Sequence, residues 1–540
     1  MTNLLKIFVL LLFLELLSAQ ISTLVETHLG KIRGSLMKTE KGSDFIGFRG
    51  IKYAEPPIGE NRFKPPIAIK PWSGELNATT DGFMCPQVGK PMHLLSEDCL
   101  VINVYTKHSN KNQSVVVFIH GGANIYGNSH SEHGAGPEFL MENDIVFVTM
   151  NYRLGPFGFL TTRTKEAPGN YGYLDQVMAL EWVHDHISKF GGNPRSVTIF
   201  GISSGSIYVS LHLVSPRSQG LFHKAIIMSG SATADYEFDN LHWGRKLARE
   251  LACPIYNPPD VLDCLRKLPW TTIVSVASSW DFFNMTDMKW SYQIDGHFLT
   301  KPPTVTFAEG NFSKIPILTG LTKDEYTFMF NIHENNSGLL NDITLNFAKY
   351  APKFFVHNFD DPKIDKTKIV QSFYLGNQSL AKQKLSNFGK IFSDSMANYS
   401  INRLVQLARK FVDVYYYRFD YLGRFGVFEN WEGKPLGVNH ADDLQYIIKR
   451  RMLRKTINPN DPEWFMVTRM VKVITTFAET GSPELDGVKW LPSNKTAVNT
   501  MYIGRKVKLG FEPLKERLQL WDKLFPVEIS SAPAEQGPII

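Results

Sequence analysis

Residues 200–206 read FGISSGS, three hydroxyls within four positions and flanked by two glycines. A serine in such a turn can attack an acyl carbon if a base takes its proton and an acid orients the base. Gly201 and Gly205 stand two positions either side of Ser203, a symmetry that Ser204 and Ser206 lack. A nucleophile on a sharp strand-to-helix turn crowds its neighbours, so those two places require small residues. Ser203 is therefore the candidate nucleophile. The pattern recurs by chance, but here SVTIF precedes it as a strand and IYVSLHLV follows as a helix-compatible run.

In such a site the acid and base follow the serine along the chain. GLTKDEY, residues 320–326, places Asp324 and Glu325 just after the strand-like PILTG. GVNHADDLQY offers His440 in a loop opened by a glycine. The tetrahedral intermediate also needs backbone N–H donors. HGGAN, residues 120–124, follows the strand-like VVVFIH, and its glycines let backbone approach a ligand closely.

These residues need a scaffold. Continuous β-branched or apolar runs at 115–120, 145–150, 196–200, 225–230, 316–320 and 414–421 read as strands buried on both faces. Between them, Leu174, Val177, Met178, Val183, Ile187 and Phe190 recur near the helical period, and Gly191, Gly192 and Pro194 stop that helix. Strands alternating with helices predict an α/β fold, a mostly parallel sheet covered on both sides. Helical patches between 331 and 410 are expected to cap one edge of the sheet. No repeat or linker divides the chain, so residues 20–540 read as one domain.

The bulk numbers exclude several classes. The chain has 540 residues, 43% hydrophobic and 20% charged, with net charge +6. It carries no aromatic-interleaved basic stretch and no zinc spacing, so neither nucleic acid nor a metal is expected. KRRMLRK, residues 449–455, reads as a solvated basic helix. Residues 1–19, with Lys6, a leucine-rich run and Ser18-Ala19, read as a secretory signal peptide. No second long apolar run follows, so stable membrane insertion is not expected. Cys85, Cys99, Cys253 and Cys264 suit an exported protein; local pairing is the economical expectation, although four cysteines allow three connectivities. Asn-x-Ser/Thr sequons begin at Asn77, Asn112, Asn284, Asn311, Asn335, Asn377, Asn398 and Asn494 and predict glycosylation in surface loops.

The blocks GIKYAEPPIGENRFKPP, SEDCLVINVY, NYRLGPFGFL, APGNYGYLDQVMALEWV and FGGNPRSVTIFGISSG occur in the order found in the carboxylesterase/cholinesterase family of α/β-hydrolases. The chain closely resembles that family over nearly its whole length, above all insect secreted carboxylesterases. The resemblance implies Ser203 as nucleophile, Glu325 rather than Asp324 as acid, and His440 as base. It implies oxyanion donors at Gly122, Ala123 and Ser204, and a supporting hydroxyl at Ser229. It also implies disulfides Cys85–Cys99 and Cys253–Cys264, ion pairs Arg62–Glu97 and Arg153–Asp175, and no cofactor.

The departures bear on substrate range. Ile202 stands where many relatives carry Glu, Ser204 where Ala is usual, Ala123 where a third glycine is usual, Asn124 in place of an aromatic, and Tyr326 where glycine often follows the acid. The segment between the first two cysteines, PQVGKPMHLLSED, has no Trp, Tyr or Phe to hold a quaternary ammonium. Neutral esters of medium size, xenobiotic, dietary or semiochemical, are therefore expected rather than choline esters. The alternatives are a juvenile-hormone-type esterase and a catalytically inactive binding or adhesion relative.

Overall fold

The computed structural model describes residues 23–527 apart from 109, 235–238, 281–289, 330–341, 344, 356–362, 377–384, 431, 452–454 and 513. The leader expected at 1–19 and the sequons at Asn284, Asn335 and Asn377 lie outside the described residues. One sheet comprises eleven strands: β1 Ser35–Lys38, β2 Asp44–Lys52, β3 Val101–Thr106, β4 Gln113–Ile119, β5 Val146–Met150, β6 Gly192–Ile202, β7 Lys224–Met228, β8 Ile317–Thr322, β9 Val414–Phe419, β10 Asn499–Ile503 and β11 Val507–Phe511. Their order is β11-β10-β9-β8-β7-β6-β4-β5-β3-β2-β1. The span from β10 to β5 is parallel throughout, and the strands outside it join by antiparallel pairing.

The parallel strands are the β-branched and apolar runs, because both faces of each strand are covered. In β4, Val115, Val117 and Ile119 enter one apolar cluster and Val116 and Phe118 another. The first cluster is roofed by α1, Tyr171–His186, and α2, Ser204–Val214. Met466, Val467, Met470, Val471 and Ile474 of α3, Trp464–Thr480, cover the second. After α1 a short 3-10 turn ends at Gly191, whose φ of 83° suits a residue without a Cβ.

Strand β4 has β5 on one side and β6 on the other. Chain direction across the sheet reverses there, which opens a crevice at the carboxyl ends of β4 and β6. His120 leaves β4 into that crevice and Ser203 leaves β6. The helical patches expected between 331 and 410 include Phe347–Phe355, Lys366–Leu375, Leu385–Ser393 and Tyr399–Ala408. Their cluster, with Phe347, Val370, Phe388, Ile391, Tyr399 and Trp521, packs against Ile207 of α2 and against Tyr326.

Two cystines, Cys85–Cys99 and Cys253–Cys264, close the loops that the resemblance implied. Each contributes about 3 kcal/mol by loop-closure entropy. Buried Arg62 ties the two regions together: its Nε and Nη2 reach Glu97 at 2.6 Å each, and its Nη1 donates to the carbonyls of Leu265 and Leu268 at 2.9 and 2.7 Å. Arg153 forks onto Asp175 at 2.7 and 2.8 Å, with both side chains buried.

Two expectations are corrected. Asn398 is 3% exposed and its Nδ2 donates to Asp394 at 2.8 Å, so its side chain has no room for a glycan; Asn77, Asn112, Asn311 and Asn494 are exposed. The basic run at 449–455 is not a solvated helix at its described positions. Lys449 bridges to Gly136 in extended backbone and pairs with Glu40, and Arg451 pairs with Glu138 at 2.6 Å. Opposite charges on neighbouring segments draw these cations in.

Candidate active site

Ser203 sits between the end of β6 and the first turn of α2, with φ 59° and ψ −130°. Holding a non-glycine residue there costs on the order of 1–3 kcal/mol. The turn is pinned by Ser203 N–H to the Met228 carbonyl at 2.9 Å and by Ser206 N–H to the Ser203 carbonyl at 3.0 Å. Ser206 also donates its hydroxyl to that carbonyl at 2.5 Å, so it braces the turn as well as joining the helix. A Cβ on Gly201 would lie 2.2 Å from the Gly205 carbonyl oxygen, and one on Gly205 2.3 Å from that of Ile119. Both glycines are thus required by space, as their spacing about Ser203 suggested.

The loop after β4 closes on this turn. A Cβ on Gly121 would meet the Ile202 carbonyl oxygen at 2.5 Å and Ser203 Cβ at 3.0 Å. Gly122, Ala123 and Asn124 have φ of 125°, 50° and 66°. Among the described residues the amides of Gly122, Ala123 and Ser204 donate to no backbone carbonyl, which leaves them for an anionic oxygen. Asn124 is the loop's anchor: its Nδ2 donates to the Trp290 carbonyl at 2.6 Å, its Oδ1 accepts from the Tyr208 hydroxyl, and its own carbonyl accepts from Gly155 N–H at 2.7 Å. Buried His120 is pushed down to about 4 by burial and stays neutral. Its Nδ1 lies 3.0 Å from the Tyr152 hydroxyl, which donates to the His120 carbonyl at 2.5 Å.

Beyond β8, Glu325 is fully buried. Its Oε1 accepts from the Ser229 hydroxyl at 2.7 Å and from Thr322 N–H at 2.8 Å, and its Oε2 lies 2.8 Å from His440 Nδ1. With Nδ1–H donating to the carboxylate, the neutral ring presents Nε2 as an acceptor. The Tyr326 hydroxyl lies 3.2 Å from that nitrogen. Asp324 is turned elsewhere and accepts from Val438 N–H at 2.9 Å. One run of contacts therefore leads from the Ser203 backbone through Met228 and Ser229 to Glu325 and His440. Ser203, Ser229, Glu325 and Ala441 all have positive φ, so the strained backbone gathers at this cleft.

Ile202 is 4% exposed and lies in the apolar cluster that also holds Val438 and Ala441, on either side of Asn439 and His440. Behind them, burial pushes the Asp442 and Asp443 carboxyls up to about 7. Sequence spacing alone did not find Asn124 as an anchor, Ser206 as a brace or Tyr326 as a neighbour of the base; each role depends on a partner brought from elsewhere in the fold.

A buried carboxylate on an imidazole, linked through Ser229 and Met228 to a strained serine on which a loop of free amides closes, suits acyl transfer. Residues 21–521 match the model of the carboxylesterase family. The chain is 32% identical to esterase FE4 of Myzus persicae over 506 residues, covering 88% of each. It is 34% identical to a juvenile hormone esterase of Tribolium castaneum, covering 85% of this chain and 84% of that protein. With an acylcarnitine hydrolase of Mus musculus it shares 30% identity, over 96% of this chain and 94% of that one.

Proposed function

The chain belongs to the carboxylesterase family of α/β-hydrolases and hydrolyses carboxylic esters, and from that premise we propose which of its residues do the chemistry. Ser203 Oγ attacks the ester carbonyl as its proton passes to His440 Nε2. Glu325 keeps the proton of Nδ1 in place and stabilises the imidazolium that forms. The N–H groups of Gly122, Ala123 and Ser204 receive the oxyanion. The C–O bond to the alcohol breaks and His440 returns its proton to the departing oxygen. Water, deprotonated by His440, then attacks the acyl-enzyme, and the acid leaves as Ser203 regains its proton.

The observation that carries this assignment is the 2.8 Å contact between Glu325 Oε2 and His440 Nδ1, tied through Ser229 to the strand beside Ser203. Hydrolysis of a chromogenic short-chain ester by wild type and by Ser203→Ala tests it. Retention of the wild-type rate in Ser203→Ala would overturn the assignment. Labelling with an organophosphate, located by peptide mass, separates Ser203 from Ser204 and Ser206.

The substrates we propose are neutral esters of medium size. Apolar Ile202 and a first cystine loop without Trp, Tyr or Phe offer no carboxylate and no large aromatic face to a quaternary cation. A juvenile-hormone-type ester is the second reading, favoured by the 34% identity to the Tribolium castaneum enzyme. A panel varying acyl and alcohol length, with juvenile hormone included, distinguishes the two.

We also propose export as a glycoprotein, with residues 1–19 removed and glycans at exposed Asn77, Asn112, Asn311 and Asn494. The two cystines support this, since such bonds persist in oxidising compartments. Amino-terminal sequencing and a glycosidase mobility shift of the secreted protein test it. Residues 20–540 act as a single domain in this reading, because β1 and β11 lie in one sheet.

A further inference from the structure

Tyr326 follows the acid directly, and its backbone is fixed by the segments that fix the acid and base. Its N–H donates to Ser393 Oγ at 3.1 Å. On one side Glu325 bridges to Asn439; on the other, Thr327 N–H donates to the Asp324 carbonyl at 2.8 Å and Thr327 Oγ1 to Asn439 Oδ1 at 2.8 Å. The phenol ring stacks on the His440 imidazole with centroids 4.4 Å apart and planes at 29°. Its hydroxyl is 3.2 Å from Nε2. Among the described residues, that hydroxyl is the hydrogen-bond partner of Nε2, and Ser203 Oγ makes no hydrogen bond to it.

We propose that the Tyr326 hydroxyl competes with Ser203 for the proton-accepting nitrogen of His440, making Tyr326 a positioning residue that sets the rate of acyl transfer. A neutral imidazole has one lone pair, and the stacked ring brings the phenol O–H to Nε2 from the face of the imidazole, so the proton it donates there draws on the pair that must take the serine's proton. While the phenol donates to it, Nε2 is a weaker base toward Ser203. The fraction of protein in which the serine is activated therefore depends on how strongly Tyr326 holds on. A neutral hydrogen bond corresponds to a factor of roughly two to ten in such an equilibrium. The phenol cannot drift far, because Ser393 and Asn439 hold its backbone on both sides.

This inference rests on His440 being the base. The experiment compares wild type, Tyr326→Phe, Tyr326→Leu and His440→Ala for inactivation by an organophosphate and for turnover of a chromogenic ester. Tyr326→Phe keeps the stacked ring and removes only the competing hydroxyl. Its phosphorylation rate constant and kcat should both rise, by about two- to tenfold, with the dissociation constant of the preceding complex unchanged. Loss of packing does not accelerate a reaction, so a purely structural role cannot give that result. An equal or lower rate in Tyr326→Phe overturns the proposal, and so does a faster Tyr326→Leu alongside an unchanged Tyr326→Phe. His440→Ala separates the two levels. If it abolishes inactivation, a flat Tyr326→Phe result sinks the competition alone; if it reacts like wild type, the assignment of the base falls.

Discussion

Glu325 and His440 are joined twice. The side chains meet at 2.8 Å between Oε2 and Nδ1, and the His440 backbone N–H donates to the Glu325 carbonyl, also at 2.8 Å. The second bond is independent of the carboxylate. Glu325→Gln should therefore leave the loop in place while an amide N–H faces Nδ1 and drives the ring proton to Nε2. The imidazole then has the wrong tautomer for a base. We expect kcat for a chromogenic ester to fall on the order of 10³- to 10⁴-fold with an unchanged circular dichroism spectrum. A loss below tenfold would mean that another group orients the base.

Gly121 is the point where the amide loop touches the serine turn. A methyl group there must displace the Ile202 carbonyl or Ser203 Cβ, at 2.5 and 3.0 Å. A shift of about 1 Å between donors and nucleophile costs on the order of 100-fold in rate. Gly121→Ala should lose at least that much in kcat for the same ester, and wild-type kcat in that variant would disprove the close approach.

The buried carboxyl of Asp443 makes stability depend on pH. Burial pushes it up to about 7, with Glu325 adding to the rise, and the Tyr417 hydroxyl donates to it at 2.7 Å. The folded protein therefore holds a proton that the unfolded chain gives up near pH 4. Its stabilising contribution is complete below about pH 4 and disappears as pH climbs to about 7. Asp443→Asn keeps an acceptor for Tyr417 without this titration. Its thermal midpoint should gain on wild type between pH 5 and pH 8; a constant difference across that range would contradict the elevated carboxyl.

Arg153 and Asp175 lie at the foot of α1, and removing one strands the other. Arg153 also donates to the Lys64 carbonyl at 2.7 Å. Arg153→Ala leaves an unpaired carboxylate with no solvent exposure. The expected loss is about 3–5 kcal/mol in denaturant unfolding, and a change below 1 kcal/mol would mean that the pair is compensated elsewhere.

Ile202→Glu would place a carboxylate among Phe200, Val438 and Ala441. It should lower the thermal midpoint, and any charge it retains would move the acid limb of the rate profile to higher pH by favouring the imidazolium. An unaltered midpoint and profile together would show that the new side chain has turned to solvent.

The inner strands were legible because a strand buried on both faces is apolar along nearly its whole length: VVVFI is so throughout, and VFVTM is but for Thr149, whose hydroxyl donates to the Ser129 carbonyl at 3.0 Å. The outer strands β1, β2, β10 and β11 were not, since their sequences mix polar and apolar residues; DFIGFRGIK contains two glycines and two charges besides its terminal Lys52. Ser203 could be chosen among three serines because the need for small flanks is local. Glu325 and Asp324 could not be separated locally. They are adjacent, and only the fold sends one to His440 and the other to Val438 N–H. Asn124 was visible as an oddity but not as an anchor, because Trp290, its carbonyl partner, lies 166 residues away.

The order of strands also sets an order in time. The serine turn needs nothing beyond Met228, and the glycine loop that closes on it nothing beyond Trp290. The acid lies 96 residues beyond Ser229, and the base a further 115 beyond the acid. A chain growing from its amino end thus builds the nucleophile's seat first and receives the group that activates it late. Until His440 is laid beside Glu325, the serine is strained, buttressed and inert. Hydrolytic capacity therefore arrives near the end of synthesis, when most of the sheet already exists to contain it.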